Sequence, residues 1–171
     1  MYKKVVFSVL LLVFSMLYIA VRNSQQMKNN TKSFSDLQDR ELVQIVFNKD
    51  QAVQTGQEAI TVEIVNTVES TTLGLSGRPE IGTDGMLFIF PTKEVRYFWM
   101  KDMQFDIDIV WIADGKVVTV TPSVPKPLPE TPDFRLETYS TGEPVNMVLE
   151  LPSNDAQRLN ISSGDVVQLV Q

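Results

Sequence analysis

Beyond about residue 41 the chain is dominated by short apolar stretches, several of which alternate with polar residues at period two. Ile60-Thr61-Val62-Glu63-Ile64 alternates cleanly and predicts a strand with one face buried. Leu42 to Phe47 predicts a strand before it. Met86 to Phe90 is apolar without interruption, the pattern of a central strand, and the aromatic-rich Arg96 to Met100 predicts another. Ile107 to Ile112 and Lys116 to Val120 flank Asp114-Gly115, a pair suited to the two positive-φ positions of a tight hairpin turn. Met147, Leu149 and Leu151 alternate with Val148 and Glu150, and Val166 to Val170 closes the pattern after Ser163-Gly164-Asp165. Only two short helices are predicted. Thr67 caps one that runs through Leu73 and ends at Gly74 or Gly77. The other spans Ser153 to Leu159, with Asp155 early and Arg158 late, as the helix dipole favours. The predicted class is mainly β (α+β with two short helices), in one barrel- or sandwich-like domain over residues 41–171.

The beginning of the chain follows a different pattern. Val5 to Val21 (VVFSVLLLVFSMLYIAV) carries no charge and only two serines, and as a helix it would reach about 25 Å. Lys3 and Lys4 precede it, and no clear small-residue cleavage site or lipid-accepting cysteine follows. An uncleaved single-pass transmembrane helix within residues 1–21 is the expectation. A cleaved signal sequence and a buried core helix are the alternatives. The short basic N-terminal tail predicts that the N-terminus stays inside and the domain lies on the extracytoplasmic side of the cell membrane. Residues 22–40 are polar and predict a flexible tether.

Thr121 to Phe134 (TPSVPKPLPETPDF) holds five of the nine prolines. Proline cannot join a central ladder, so a stiff surface loop is expected, serving as a cover for one end of the sheet, a lid or a docking segment.

Composition narrows the chemistry. The absence of cysteine excludes disulfides and thiolate chemistry. The absence of histidine removes the usual neutral-pH base, the usual zinc ligand and every Ser-His or Cys-His pair. No metal site and no cofactor are predicted. Charge is split along the chain: residues 1–40 carry six Lys and Arg against two Asp, and residues 41–171 carry nine Lys and Arg against nineteen Asp and Glu. A domain that acidic repels phosphate backbones, so nucleic acid is not an expected partner.

Three groups of residues stand in a recognisable order. Leu73-Gly74-Leu75-Ser76-Gly77-Arg78 is followed by Gly85-Met86-Leu87-Phe88-Ile89-Phe90. Phe98-Trp99-Met100-Lys101-Asp102 leads to Ile107-Asp108-Ile109-Val110-Trp111 and then Asp114-Gly115-Lys116-Val117-Val118. Val148-Leu149-Glu150-Leu151 and Gly164-Asp165-Val166-Val167 complete the set. The chain thereby resembles the domain of unknown function 192 family over roughly residues 60 to 170. That family's pattern includes GMLF, FWMKN, DG-x-V-V and VLEL in this order. This sequence departs from it in carrying Asp102 where the family has Asn, and Asp106 where it usually has Pro. It also lacks the family's common acidic residue before the Asp-Gly turn. The resemblance implies a compact β-rich fold and no established activity.

Five residues are candidates for a ligand site: Arg78, Trp99, Lys101, Asp108 and Glu150. Asp108 and Glu150 sit inside apolar strands, where a carboxylate is costly without a partner, and Arg78 and Lys101 are the expected partners of Asp108. The two acids, if close, could bind a cation or act as an acid/base pair. Lys101, if desolvated, could serve as a nucleophile. Tyr97 and Trp99 share one face of their segment, Phe98 and Met100 the other, and core packing of both faces is expected, with an exposed stacking platform as the alternative. The leading functional expectation is a membrane-anchored binding or accessory module without catalytic activity, taking a small molecule, a glycan or an envelope protein. A carboxylate-based hydrolase of an envelope glycan is the first alternative. A structural part of an envelope protein assembly is the second.

Overall fold

The computed structural model describes residues 32–49 and 58–170, together with Tyr18. Apart from Tyr18, the expected anchor over residues 5–21 lies outside the described residues, as does most of the expected tether. Among the described residues no helix is long and apolar enough to cross a membrane.

Among the described residues, the unit Phe34–Val170 holds nine strands, two short α-helices and two 3-10 turns. In chain order the strands and α-helices are β1 (Leu42–Asn48), β2 (Ile60–Val65), α1 (Val68–Leu73), β3 (Gly85–Val95), β4 (Phe98–Trp99), β5 (Ile107–Ala113), β6 (Lys116–Val124), β7 (Thr138–Tyr139), β8 (Pro144–Pro152), α2 (Asp155–Arg158) and β9 (Val166–Leu169). Seven of the strands close into a barrel in the order β1-β2-β3-β8-β5-β6-β9, with β9 returning to β1. This settles the choice between barrel and sandwich. Every neighbouring pair is antiparallel except β2 and β3, which run parallel because α1 and the segment after it carry the chain back across. Thr67 and Ser70 form the capping box that starts α1, and Gly74 caps its end. Asp114 and Gly115 both adopt positive φ, 50° and 79°, as the β5–β6 turn demands.

The barrel interior is filled from all seven strands, with Ile45, Ile64, Leu87, Ile112, Val117, Leu149 and Val167 among its members. A second apolar cluster covers the outer face of β3, β8 and β5, where Met86, Phe88, Ile109, Trp111 and Val148 meet Leu75, Ile81, Met100 and Met103 from the long connections. These three strands are buried on both faces, which is why MLFIF, IDIVWI and VLEL lack clean alternation.

Three expectations change. The strand over Arg96–Met100 shrinks to Phe98–Trp99, paired with β7 in a two-stranded ribbon outside the barrel. Strand β6 runs on to Val124 and takes in the first residues of the proline-rich stretch. The register against β5 shifts between Ile107 and Ile109, so Pro122 and Ser123 together face Asp108 in a bulge, which accommodates proline within a ladder. Finally, Phe34–Arg40 packs as part of the domain although it was expected in the tether. Leu37 is buried in the interior cluster, Asp39 accepts from Ser70 Oγ at 2.6 Å, and Arg40 donates to Glu63 at 2.6 Å. The polar residues of this stretch find folded partners instead of water.

Candidate functional site

An open cleft of about 1020 Å³ lies on the outer side of the sheet. Its walls come from α1 with the turn Gly74–Ser76, from β3 through Phe88 and Phe90, and from the segment Val95–Met103. Glu150 of β8 also lines it. The positions follow from register. Glu150 lies opposite Met86 on β3 and opposite Ile109 on β5, so it shares the outer face with those two residues and with Val148. Gly85 permits the close approach of β3 to β8: a Cβ there would stand 2.9 Å from the Glu150 carbonyl oxygen and 3.0 Å from Leu151 Cδ2. The turn after α1 packs on the same strands, since a Cβ on Gly74 would meet the Phe88 ring at 3.1 Å.

Glu150 is the chemically unusual group. It is 6% exposed, and its Oε2 is buried without a hydrogen-bond partner among the described residues. Burial pushes its carboxyl from the usual 4.5 up to about 8. At neutral pH the side chain is therefore largely a neutral acid, able to donate a hydrogen bond and to accept one. A second unpartnered buried atom borders the same cleft. Arg96 stacks its guanidinium 4.2 Å from the centre of the Phe90 ring, and its Nη2 donates to Thr92 O at 2.7 Å and Thr92 Oγ1 at 3.1 Å. Its Nε–H has no acceptor among the described residues. Sequence reasoning passed over Arg96, Phe88 and Phe90. The signal was there in part, because Phe88 and Phe90 fall at alternate positions of MLFIF, and Arg96 directly precedes the aromatic run.

The aromatic run itself divides by face. Phe98 turns inward and makes edge-to-face contacts with Phe88 (5.0 Å), Phe90 (6.4 Å) and Trp111 (5.6 Å), and Met100 is buried. Tyr97 and Trp99 line the cleft and remain 70% and 50% exposed. Core packing of both faces, the expectation from the alternation, is thus replaced by one buried face and one exposed face. The reason is that the segment leaves the barrel and has only one side to pack.

Of the five predicted site residues, three line the cleft: Trp99, Lys101 and Glu150. Lys101 Nζ is hydrogen-bonded to Asp133, lies 3.8 Å from Asp102, and sits 5.8 Å from the Trp99 ring centre. The Asp133 hydrogen bond raises its ammonium above the usual range, with Asp102 adding to the effect. A protonated, partnered lysine is no nucleophile, and that expectation falls.

Arg78 lies elsewhere, in a two-pronged pair with Glu63 (2.7 and 3.0 Å) that Arg40 joins. Its hydrogen bonds hold the Glu63 carboxyl below its usual range.

Asp108 is fully buried, but on the other face of the sheet from Glu150. It is paired with Leu151, whereas Glu150 is paired with Ile109, and alternation turns the two carboxyls to opposite sides of β5 and β8. Among the described residues no cation partners Asp108. Its Oδ1 accepts from Ser123 N in the β6 bulge at 2.8 Å, and its Oδ2 accepts from Ala156 N in the first turn of α2 at 2.9 Å. It is a backbone brace, and the expected ion pair with Arg78 or Lys101 is not formed. Nor do Asp108 and Glu150 meet as an acid/base pair. Asp102 has φ 56°, a conformation Asn and Asp tolerate best, and its carbonyl accepts from Gly77 N at 3.0 Å. The exchange of the family's Asn for Asp at this position therefore keeps the backbone role. Asp106 Oδ1 accepts from Lys126 N at 2.9 Å and ties down the start of the proline-rich loop.

The comparisons agree with this architecture. A protein from Sinorhizobium meliloti 1021, proposed to be a transcription regulator, is similar at a TM-score of 0.64 with 25% identity, over 78% of this chain and 97% of that one. A protein of unknown function from Novosphingobium aromaticivorans DSM 12444 superposes at a TM-score of 0.60 with 23% identity, over 81% of this chain and 90% of that one, a likeness of fold alone. No curated protein matches the chain. Residues 51–169 match the domain of unknown function 192 family, described as "Uncharacterized ACR". The chain belongs to that family.

Proposed function

We propose that this chain is a membrane-tethered, extracytoplasmic binding module whose ligand occupies the cleft over Glu150. One observation carries the reading. A carboxyl group is buried beneath an open cleft with an oxygen that bonds to nothing, in surroundings that keep it protonated at neutral pH. Burying such a group without a partner is unfavourable, and a ligand supplying the partner recovers that loss. Exposed Tyr97 and Trp99 supply contact area beside it. The tether rests on the uncharged run Val5–Val21 behind Lys3 and Lys4.

A hydrolase working through Asp108 and Glu150 is disfavoured by their opposite orientation. The regulator role proposed for the Sinorhizobium protein does not transfer readily to a DNA-binding function here. Residues 41–171 carry nineteen acidic against nine basic side chains, which disfavours contact with phosphates.

The test is thermal unfolding of the full-length chain in detergent against divalent cations, oligosaccharides, cell-wall fragments and sugar-free amphiphiles. A cleft ligand at a hundred times its Kd stabilises by about 2.7 kcal/mol. The expected result is a Tm rise that Glu150→Leu abolishes. Rises that ignore Glu150, or none across the panel, overturn the reading.

A further inference from the structure

We infer that the cleft takes a saccharide, with a sugar ring laid on Tyr97 and Trp99 and its oxygens bonded to Glu150 and Arg96. This rests on the binding reading above and names the chemical class of its ligand.

The cleft poses two demands at once. Tyr97 and Trp99 hold large apolar surfaces in water, 70% and 50% exposed, on the same side of their segment. Deeper in, Arg96 Nε and Glu150 Oε2 are buried and unpaired. A hydrocarbon ligand would cover the rings and leave both polar atoms unpaired in a drier site, which raises their cost. A sugar meets both demands, because its C–H faces pack on aromatic rings while its hydroxyl and ring oxygens accept and donate hydrogen bonds.

Charge argues against the other classes. A cationic ligand would meet two like charges beside the rings, since Arg96 stands over Phe90 at 4.2 Å and Lys101 lies 5.8 Å from the Trp99 ring centre. An anionic ligand would need free cations, but Lys101 is engaged by Asp133 and Asp102, Arg96 lies 3.6 Å from Glu94, and Glu69 and Asp102 line the same cleft. A neutral polyhydroxyl compound avoids both conflicts.

The chain has two tryptophans, and they make the test selective. Trp111 is fully buried and Trp99 is half exposed, so a ligand-induced change in tryptophan emission reports Trp99. The full-length chain, in a detergent without a sugar headgroup, is titrated with α-1,4 and β-1,4 glucose tetrasaccharides and with the N-acetylglucosamine tetrasaccharide. Expected is a saturable emission change, with a matching Tm rise, for at least one of them. Apparent affinity, read by Tm, drops at least tenfold in Trp99→Ala and in Glu150→Leu, while Glu150→Gln, which keeps a donor, retains it. Each variant is checked for a wild-type near-ultraviolet circular dichroism spectrum. If any of them misfolds, Tyr97→Ala takes its place, and a wild-type affinity in that variant counts against the proposal. Saturation that ignores Trp99 and Glu150, or a flat response to all three sugars, overturns the saccharide. After a flat response, a sugar-free amphiphile whose Tm shift depends on Glu150 leaves the cleft reading standing. The absence of any such ligand removes both.

Discussion

Asp108 and Glu150 sit on adjacent strands, each facing a neighbour one residue away from the other, and their circumstances are opposite. Asp108 reaches the end of the barrel where the β6 bulge and the first turn of α2 present amides that no ladder uses, and it accepts from both. Glu150 reaches the outer face among Met86, Ile109 and Val148, where nothing is offered. Burial alone does not reveal what a carboxyl is for. A satisfied one holds the fold, and an unsatisfied one beneath an open cleft is available to a ligand.

The sharpest break of this contrast is Asp108→Ala. It removes the acceptor of two buried amides and is expected to lower unfolding free energy by about 3–5 kcal/mol, measured by urea denaturation. A loss under about 1 kcal/mol would mean that water replaces the carboxyl and that the brace is not structural. Next is the pH profile of Glu150. Its folded value near 8 lies above the unfolded 4.5, so between these limits the native state holds the extra proton. Stability should be highest below about pH 4.5 as far as this group is concerned, fall as pH rises towards 8, and level off above it. Glu150→Gln should flatten this fall, matching wild type near pH 4 and exceeding it at pH 9 by on the order of a few kcal/mol. Parallel wild-type and variant profiles would show that Glu150 finds a partner or water.

Glu63 offers an intermediate case with the opposite sign. Arg78 depresses its folded value, so the pair stabilises above the ordinary carboxylate range and the gain is lost as pH falls through the folded value. Arg78→Ala should cost about 1 kcal/mol at pH 7 and almost nothing once Glu63 is protonated, as read from Tm across an acid titration. The smallest effect belongs to Trp99→Ala, under about 1 kcal/mol, because half of the residue stays in water. A larger loss would place Trp99 in the core and undo its assignment to the cleft.

Much of this molecule was legible in the sequence. The β5–β6 hairpin followed from Asp114-Gly115, α1 from Thr67 and Gly74, and β2 from its alternation, because each depends on contacts a few residues apart. The candidate site was half legible. Glu150 and Asp108 both announced themselves as acids in apolar strands, but nothing local distinguishes the one that will meet two amides from the one that will meet none. The alternation over Arg96–Met100 left a strand packed on both faces and an exposed platform as alternatives, because the segment's departure from the barrel depends on β7, some forty residues later.

The sequence by itself determined the barrel strands in outline, the hairpin, the caps of α1, the acidic balance and the absence of histidine and thiol chemistry, all properties of residue type and near neighbours. Only the tertiary structure decided that the sheet closes into a barrel, that Arg78 belongs to Glu63, and that Asp108 is braced while Glu150 is left open to a cleft. The physical reason is register. A side chain's partners come from strands far away in the chain, and a shift of one residue moves a carboxyl from one face of the sheet to the other.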